Sequence, residues 1–392
     1  MSQVNPDFIQ EVQAYGAFDI TSCFNCGNCT AVCPLSKEDT AFPRKLIRYA
    51  HLGLTDKLMQ SKDMWMCYYC GECSETCPRQ AEPGAFMAAL RRYVIARQDV
   101  TPLTRGLYKS AWFNALLMLA IMVVLGLFMY SQQLADRSHT TAIEVFNIPY
   151  EFIHTLGIVV MGIAALALLI GMIRMAARAL DLTSIISLTR EKKVGAGWIA
   201  LAVKTGLQVV WREMLSFKRF RDCDQETEEK RQVPLLLKPW FLHAATAWGF
   251  LGLLAATILD FLVKNPESAV SILYPARILG MIFGLLLIYG TTIILAKRLK
   301  GQDKPYGHTV FSDWWFLGTL WFIGVTGFLL EIEVYFPSAS QRLRDILFIL
   351  HVAPAMELVV LAAFTKLAHV FYRPMALFAY NFKQSLARCE TQ

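Results

Sequence analysis

The chain is 392 residues long, 55% hydrophobic and only 18% charged, with a mean hydropathy of +0.39. That composition excludes a wholly cytosolic globular enzyme, a disordered chain and a collagen-like one. The formal charge of +7 is no nucleic-acid signature, because residues 1 to 110 carry 12 Lys/Arg against 11 Asp/Glu. The excess lies in the hydrophobic portion, where it sets membrane orientation, and no nucleic acid is expected as a partner.

No apolar leader opens the chain. Met1 to Ile20 contains Asp7, Glu11 and Asp19, so residues 1–105 are expected to form a cytoplasmic head. Eight of the ten cysteines fall between Cys23 and Cys77, in two runs of identical spacing. The first is Cys23-x2-Cys26-x2-Cys29-x3-Cys33-Pro34 and the second is Cys67-x2-Cys70-x2-Cys73-x3-Cys77-Pro78. In such a run three thiolates on a tight turn hold three corners of a cubane, while the fourth, set apart by the longer spacer and the proline, reaches the other cluster. The spacing therefore predicts Cys23, Cys26, Cys29 and Cys77 on one [4Fe-4S] cluster and Cys67, Cys70, Cys73 and Cys33 on a second. Paired structural zinc sites, as in a non-redox membrane scaffold or sensor, are the alternative. Zinc ribbons, however, pair two C-x2-C knuckles and have no use for a third and fourth cysteine at these offsets. The stretch from Pro34 to Met66 reads as helix, which favours an α-helical ferredoxin-like domain over the β-hairpin type. Cys223 and Cys389 stand alone and read as free thiols of a reducing compartment.

Six segments of bilayer length follow, at 111–130, 150–173, 239–261, 276–296, 312–332 and 346–370. With the head inside, the segments between spans two and three and between spans four and five, and the C-terminal tail, fall inside as well. They hold 13, 4 and 4 Lys/Arg, against five in the three outer loops: Arg137, Lys264, Arg277, Arg342 and Arg344. This is the positive-inside pattern, and it predicts a multi-pass protein of the cytoplasmic membrane, embedded in its lipid bilayer, with cytoplasmic N- and C-termini. Residues 195–217 are apolar on one side but include Lys204, Arg212 and Glu213, and read as an interfacial helix. Gly195-Ala-Gly197 fits a dinucleotide pattern loosely, but no strand precedes it. The acidic stretch Asp222 to Glu229 reads as a solvated loop.

Four of the seven histidines lie in or at the ends of the predicted spans, where a polar group needs a partner. His351 and His369 are expected to share the last helix, five turns and about 27 Å apart on one face. Topology places His154 at the outer end of span two and His243 at the inner end of span three, so the depths match in pairs. A b-type haem needs two imidazoles facing across the porphyrin. His154 with His351 is therefore assigned to an outer haem, and His243 with His369 to an inner one. Hydrogen bonding between helices is the other use of such histidines. His51, His139 and His308 read as ordinary polar residues. Glu357, six residues from His351 and just after Pro354, reads either as a proton-exchanging carboxyl at a quinone site or as a packing carboxyl. Arg277, Arg342 and Arg344 outside, and Lys238 and Arg373 inside, suit haem propionates or helix anchoring, while Asp260, Glu331 and Glu333 lie at the outer edge. The fold class is all-α: an N-terminal helical ferredoxin-like domain with two [4Fe-4S] clusters, then a six-helix transmembrane di-haem cytochrome b domain over 106–392.

The paired motifs from Cys23 to Cys77 resemble the iron-sulfur C subunit of heterodisulfide reductase. The remainder, from Lys238-Pro-Trp-Phe-Leu-His243 through Trp248-Gly-Phe-Leu-Gly252, resembles its cytochrome b E subunit. The fused arrangement is similar to the membrane subunit of the quinone-interacting membrane-bound oxidoreductase (Qmo) complex of sulfate reducers. The pair His351/His369 also looks like that of respiratory nitrate reductase cytochrome b, although there both opposing ligands come from one helix. The resemblance implies a subunit of a quinol-dependent oxidoreductase, incomplete alone, with menaquinol from the menaquinone pool as substrate. It implies flavin and iron-sulfur partners like the Qmo A and B subunits, and delivery of electrons to adenylylsulfate reductase. A heterodisulfide-reductase-like or sulfite-reductase-associated module with another acceptor is the rival reading.

Overall fold

The computed structural model describes residues 4–37, 41–135, 144–180, 197–224, 228–263, 271–301, 304–337 and 340–388. The expectations for Arg137, His139, Gly195, Lys264 and Cys389 lie outside these residues.

Six short helices, α1 (Phe8–Gln13), α2 (Asn28–Ala31), α3 (Arg44–His51), α4 (Thr55–Met59), α5 (Asp63–Met66) and α6 (Glu72–Glu75), surround a longer one, α7 (Pro83–Gln98). Pro83 opens α7 at a position where its missing N–H costs nothing. The helix is buried all round, through Phe86, Met87, Leu90, Tyr93 and Val94 among others, so it forms the axis of the head. Among the described residues the only strands are the two-residue pair β1 (Glu144–Val145) and β2 (Ile148–Pro149), so the helical head is as expected.

The head does not close its core at residue 105. Met175, Val209, Tyr372 and Leu377 belong to the same buried apolar cluster as Phe8, Trp65 and Phe86. The expected domain boundary is a change of chain direction inside one continuous core. Asp99 makes that turn, accepting hydrogen bonds from the backbone N–H of Thr101 (2.7 Å) and Thr104 (2.9 Å) before α8 (Leu103–Lys109).

Among the described residues five helices are long and apolar enough to cross a bilayer: α9 (Ala111–Gln133), α10 (Tyr150–Leu180), α14 (Pro239–Val263), α15 (Pro275–Lys300) and α17 (Phe311–Tyr335). The chain is thus a multi-pass membrane protein. Their outward faces are apolar, as with Leu116, Val123 and Leu127 on α9 or Ile158, Ile163 and Leu166 on α10, which is what a lipid-facing surface requires. Between α10 and α14 lie α11 (Gly197–Val209), α12 (Lys218–Cys223) and α13 (Glu228–Gln232), and the short α16 (Lys304–Gly307) joins α15 to α17. On α11 and the turn after it, Ile199, Val203, Leu207 and Trp211 are exposed while Thr205, Val209 and Glu213 are buried. The outward stripe is the apolar one, the arrangement of a helix lying in a membrane interface.

The sixth expected span is not one helix. α18 (Gln341–Val360) ends ten residues short of the expected limit; a series of turns and a 3-10 segment (Lys366–Ala368) follow, and α19 (His369–Arg388) begins at the histidine itself. Leu361 to Phe364 would suit a continuing helix. The break is tertiary: Thr365 is extended, and Lys366 reaches Asp313 at the start of α17 at 2.9 Å. His351 and His369 therefore lie on different helices, and the expectation that they share one face of one helix is corrected. α14 packs along α15, α15 on α17, α17 on α18, and α18 on α9 and α10, while α19 lies against α10 and α11.

Candidate redox centres

The two cysteine runs fold as near copies. Asn25 and Tyr69, between the first two cysteines of each run, both take left-handed backbone angles (φ 59° and 58°). Gly27 and Gly71, each just after the second cysteine, sit at φ 92° and 94°, a region that disfavours any side chain. Each loop then enters a single helical turn, α2 or α6, carrying the third cysteine. Backbone N–H groups point at sulfur: Asn25 to Cys23 Sγ (3.4 Å), Tyr69 to Cys67 Sγ (3.2 Å) and Ala81 to Cys77 Sγ (3.4 Å). Asn28 Nδ2 donates to the Thr76 carbonyl and ties one run to the other.

The electrostatic neighbours of these thiols fall into two groups. Burial pushes the Cys29 thiol up to about 11, with Cys23, Cys26 and Cys77 adding repulsion; burial pushes Cys33 up to about 12, with repulsion from Cys67 and Cys70. Cys73 is raised well above the ordinary thiol value by burial, then by Cys67, Cys70 and Cys33, with Cys29 of the first run last. Cys77 thus acts on the first run, and Cys33 on the second. Among the described residues no three His, Cys, Asp or Glu side chains converge closely enough to hold a single metal ion. Cys33, Cys67, Cys70 and Cys73 instead border one small cavity of about 20 Å³. An all-sulfur donor set with backbone donors aimed at sulfur fits a cubane better than a zinc knuckle. Cys223, buried and lining the same space, is a fifth thiol there, not the isolated one that its place in the sequence suggests.

Below the head a larger cavity, about 270 Å³, is lined by His243 of α14 and His369 of α19. Their ring centres are 6.3 Å apart with planes at 69°. Metal–imidazole bonds of about 2 Å on each side of one ion place ring centres roughly 6 Å apart. His369 donates its Nδ1–H to the Lys366 carbonyl, which leaves Nε2 for a ligand, and the buried Nδ1 of His243 has no hydrogen-bond partner. Arg91, Arg92, Arg298, Lys366 and Arg373 line the same cavity and supply cations for acidic substituents. The residues present fit a bis-histidine haem.

The other two histidines have separate neighbours. The His154 ring packs at a tilt against Tyr150 (3.9 Å between centres, 58°) and Phe261 (5.1 Å, 43°). His351 Nδ1 lies 3.1 Å from Thr326 Oγ1 on α17, and a Cβ at Gly327 would stand 2.8 Å from the His351 ring. Arg277 is held by Glu331 (3.0 Å) and Tyr335, which makes it a helix anchor, and Arg344 bonds Gln341. Lys238 Nζ donates to the Arg231 carbonyl (3.4 Å). His51 meets Asn25 and His308 meets Glu82, both as ordinary polar residues. Glu357 is buried, on a small cavity near the inner end of α18.

A buried network that no sequence pattern announced joins the second cysteine loop to the inner cavity. Tyr68, next to Cys67, donates to Glu213 Oε2 (2.9 Å); Arg373 bonds the same oxygen (3.0 Å) and Arg219 the other (3.0 Å). Arg373 also lies 3.6 Å over the Tyr68 ring and donates to the Cys67 carbonyl, as does Arg91. Burial raises the Glu213 carboxyl, but Arg373 and Arg219 outweigh it and hold the group below its ordinary value. A second network, Arg92 to Asp313 (2.7 Å) and Lys366 to Asp313 (2.9 Å), pins α7 to the membrane helices.

Residues 19–81 match the family model of the 4Fe-4S dicluster domain. With five bilayer-length helices, this defines a multi-pass membrane iron-sulfur protein. The chain is similar to the C subunit of the H(2):CoB-CoM heterodisulfide,ferredoxin reductase of Methanothermobacter marburgensis, 34% identical over 63 residues, which is 16% of this chain and 34% of the relative. It is also similar to the iron-sulfur C subunit of the CoB–CoM heterodisulfide reductase of Methanopyrus kandleri, 33% identical over 71 residues, 16% of this chain and 37% of the relative. The chain thus spans about a third of the length of these curated relatives. No solved structure matches it.

Proposed function

We propose that the protein is the membrane electron-transfer subunit of a quinol-dependent oxidoreductase complex, similar to the membrane subunit of the Qmo complex. Loaded with two haems b and two [4Fe-4S] clusters, it moves electrons one at a time from menaquinol to flavin and iron-sulfur partner subunits, and through them to adenylylsulfate reductase. His243 and His369 hold the inner haem, His154 and His351 the outer one. Cys23, Cys26, Cys29 and Cys77 hold one cluster, and Cys67, Cys70, Cys73 and Cys33 the other. Arg91, Arg373 and Lys366 neutralise the inner haem's propionates. Tyr68 and Phe220 fill the gap between the inner histidines and the Cys67 loop and exclude water from it.

One observation carries this reading: the histidine pair with the spacing of axial ligands and the second cysteine loop border the same cavity, whose wall includes both Cys70 and His243. The names of the similar iron-sulfur subunits support a second reading, the same wiring with a heterodisulfide or another soluble acceptor. The test is anaerobic purification in detergent, with a reduced-minus-oxidised visible spectrum and iron and haem measured on one sample. About two b haems and about eight non-haem irons per chain are expected. Iron without haem would overturn the histidine assignments, and colourless protein with stoichiometric zinc would overturn the whole reading.

A further inference from the structure

A cavity of about 240 Å³ lies where α1, α7 and α8 meet, lined by Glu11, Tyr15, Tyr93, Arg97, Arg105 and Lys109. Its one carboxylate is already engaged: Glu11 accepts hydrogen bonds from Asn5 (3.0 Å) and Tyr93 (3.1 Å) and pairs with Arg97 at 3.6 Å. Arg105 and Lys109 have no carboxylate partner among the described residues. Arg105 bonds the Tyr15 hydroxyl, and Lys109 Nζ stands 5.2 Å over the Tyr15 ring. Beside the cavity, Arg174 and Arg178 of α10 reach across to α7 and donate to the Arg97 carbonyl (3.4 and 3.2 Å), and the buried Nε of Arg174 has no hydrogen-bond partner. Of the acids nearby, exposed Asp56 acts on Arg178, and Asp99 is taken by the Thr101 and Thr104 N–H groups. Cations outnumber acids at this junction, and the excess opens onto one small space, which suits an anion.

The depth of the cavity selects which anion. Lys109 ends α8, and the next residue, Ser110, caps the membrane helix α9 by accepting the Phe113 N–H. Tyr15 precedes Gly16, where an added Cβ would stand 2.9 Å from Val310, the residue before α17, so Tyr15 also lies level with the ends of the membrane helices. One turn further the surface becomes apolar: Trp112 and Phe113 on α9 and Ile173 on α10 are all exposed. An exposed tryptophan at that position marks the membrane–water interface. Arginine and lysine on the head side, with bare apolar helix below them, match the two halves of an anionic lipid. The guanidinium forks of Arg97 and Arg105 fit phosphate oxygens in pairs, and Lys109 adds a point charge.

We infer that this cavity binds the phosphate of an anionic phospholipid, with Arg97, Arg105 and Lys109 on the phosphate and the acyl chains lying along α9 and α10. The bound headgroup ties α7 and α8 of the head to the first two membrane helices, at a junction where α10 otherwise holds α7 through the Arg97 carbonyl and Gln98. A soluble phosphate ester offers the same anion but leaves Trp112, Phe113 and Ile173 bare. The inference needs only the head and the membrane helices, and it holds whatever carrier and acceptor the protein serves.

The test places the intact protein in phosphatidylcholine nanodiscs, where brominated acyl chains report contact by quenching tryptophan fluorescence. Brominated phosphatidylglycerol, as a minor component, should quench more than brominated phosphatidylcholine at the same fraction, and Trp112→Phe should remove most of that difference. Arg105→Gln and Lys109→Gln should each weaken the preference for phosphatidylglycerol by about fivefold, the share of one cation near a charged lipid. Lys109→Arg keeps the charge and should keep the preference. Lys300→Gln removes an exposed cation from the end of α15, outside the cavity, and should leave the preference unchanged. Equal losses in Arg105→Gln, Lys109→Gln and Lys300→Gln would reduce the effect to diffuse attraction and overturn the site, as would equal quenching of the parent by the two lipids. Millimolar glycerol 3-phosphate should leave the lipid in place, and displacement by it would overturn the lipid in favour of a soluble phosphate ester.

Discussion

The ring of Tyr68, beside Cys67, stacks on the ring of Phe220 with 4.6 Å between centres and 15° between planes, and Phe220 meets the His243 ring at 5.8 Å on its other side. The pair links the second cysteine loop to His243 by ring contacts. Phe220 is almost fully buried, so Phe220→Ala opens a cavity there and should cost about 3–5 kcal/mol. It should also slow electron passage from the inner haem to the head. Phe220→Leu, which keeps most of the volume, should recover most of the stability but less of the rate. Thermal unfolding alongside flash-induced haem reoxidation separates the two effects, and equal recovery of both would show that the ring serves packing alone.

Asp313 holds two buried or half-buried cations, Arg92 and Lys366, that come from opposite sides of the head–membrane junction. Removing the carboxylate strands both charges. Asp313→Ala should cost about 3–5 kcal/mol, whereas breaking the exposed Glu228–Arg231 pair should cost less than about 1 kcal/mol. Denaturation in detergent reads this directly. A mild Asp313→Ala would mean that water reaches the triad and solvates the cations.

The same triad explains which parts of the fold were legible. The 4Fe-4S dicluster region was, because eight cysteines recur at one spacing in two runs of eleven residues each. The membrane helices were, because bilayer thickness imposes a length on apolar runs. The break after Val360 was not, since Leu361 to Phe364 has nothing against a helix and the cause is Asp313, which lies 53 residues before its partner Lys366. Glu213, Tyr68 and Arg373 were equally hidden: each is unremarkable in its own segment, and they meet only through tertiary structure.

Glu213 gives the junction a pH dependence of known sign. Its folded value lies below the ordinary 4.5 because Arg373 and Arg219 overcome the effect of burial. A depressed carboxylate contributes stability that is fully present above its unfolded value and is lost as the pH falls through the folded one. The melting temperature should therefore fall below about pH 4.5 more steeply in the parent than in Glu213→Gln, which is less stable at neutral pH and has no such group to protonate. Parallel curves for the two proteins would assign the acid limb to other carboxylates.

Crossed ligation makes a prediction that uncrossed ligation reverses. If Cys33 belongs with Cys67, Cys70 and Cys73, Cys33→Ala should perturb the same electron paramagnetic resonance signal as Cys70→Ala, and Cys77→Ala the same signal as Cys26→Ala. Each loss should take iron from about eight to about four per chain. Cys223→Ala should leave iron at the parent value, since four ligands remain on that cluster. A loss of half the iron in Cys223→Ala would make the fifth thiol a ligand and displace one of the four.

The two haem assignments are separable because their histidines lie on different helices. His369→Ala removes the ring that faces His243 at 6.3 Å and should delete one of two b-type signals, the one whose reduced form reoxidises through the head clusters. His351→Ala should delete the other and leave that reoxidation intact. Because His351 also contacts Thr326 and fills the space over Gly327, His351→Ala should lower stability by about 1–3 kcal/mol as well. His351→Met keeps much of that volume and offers a different axial ligand, so it should restore stability while shifting the outer signal's potential. A His351→Ala protein that retains both optical signals would leave His351 as a packing residue and assign the second haem to other ligands.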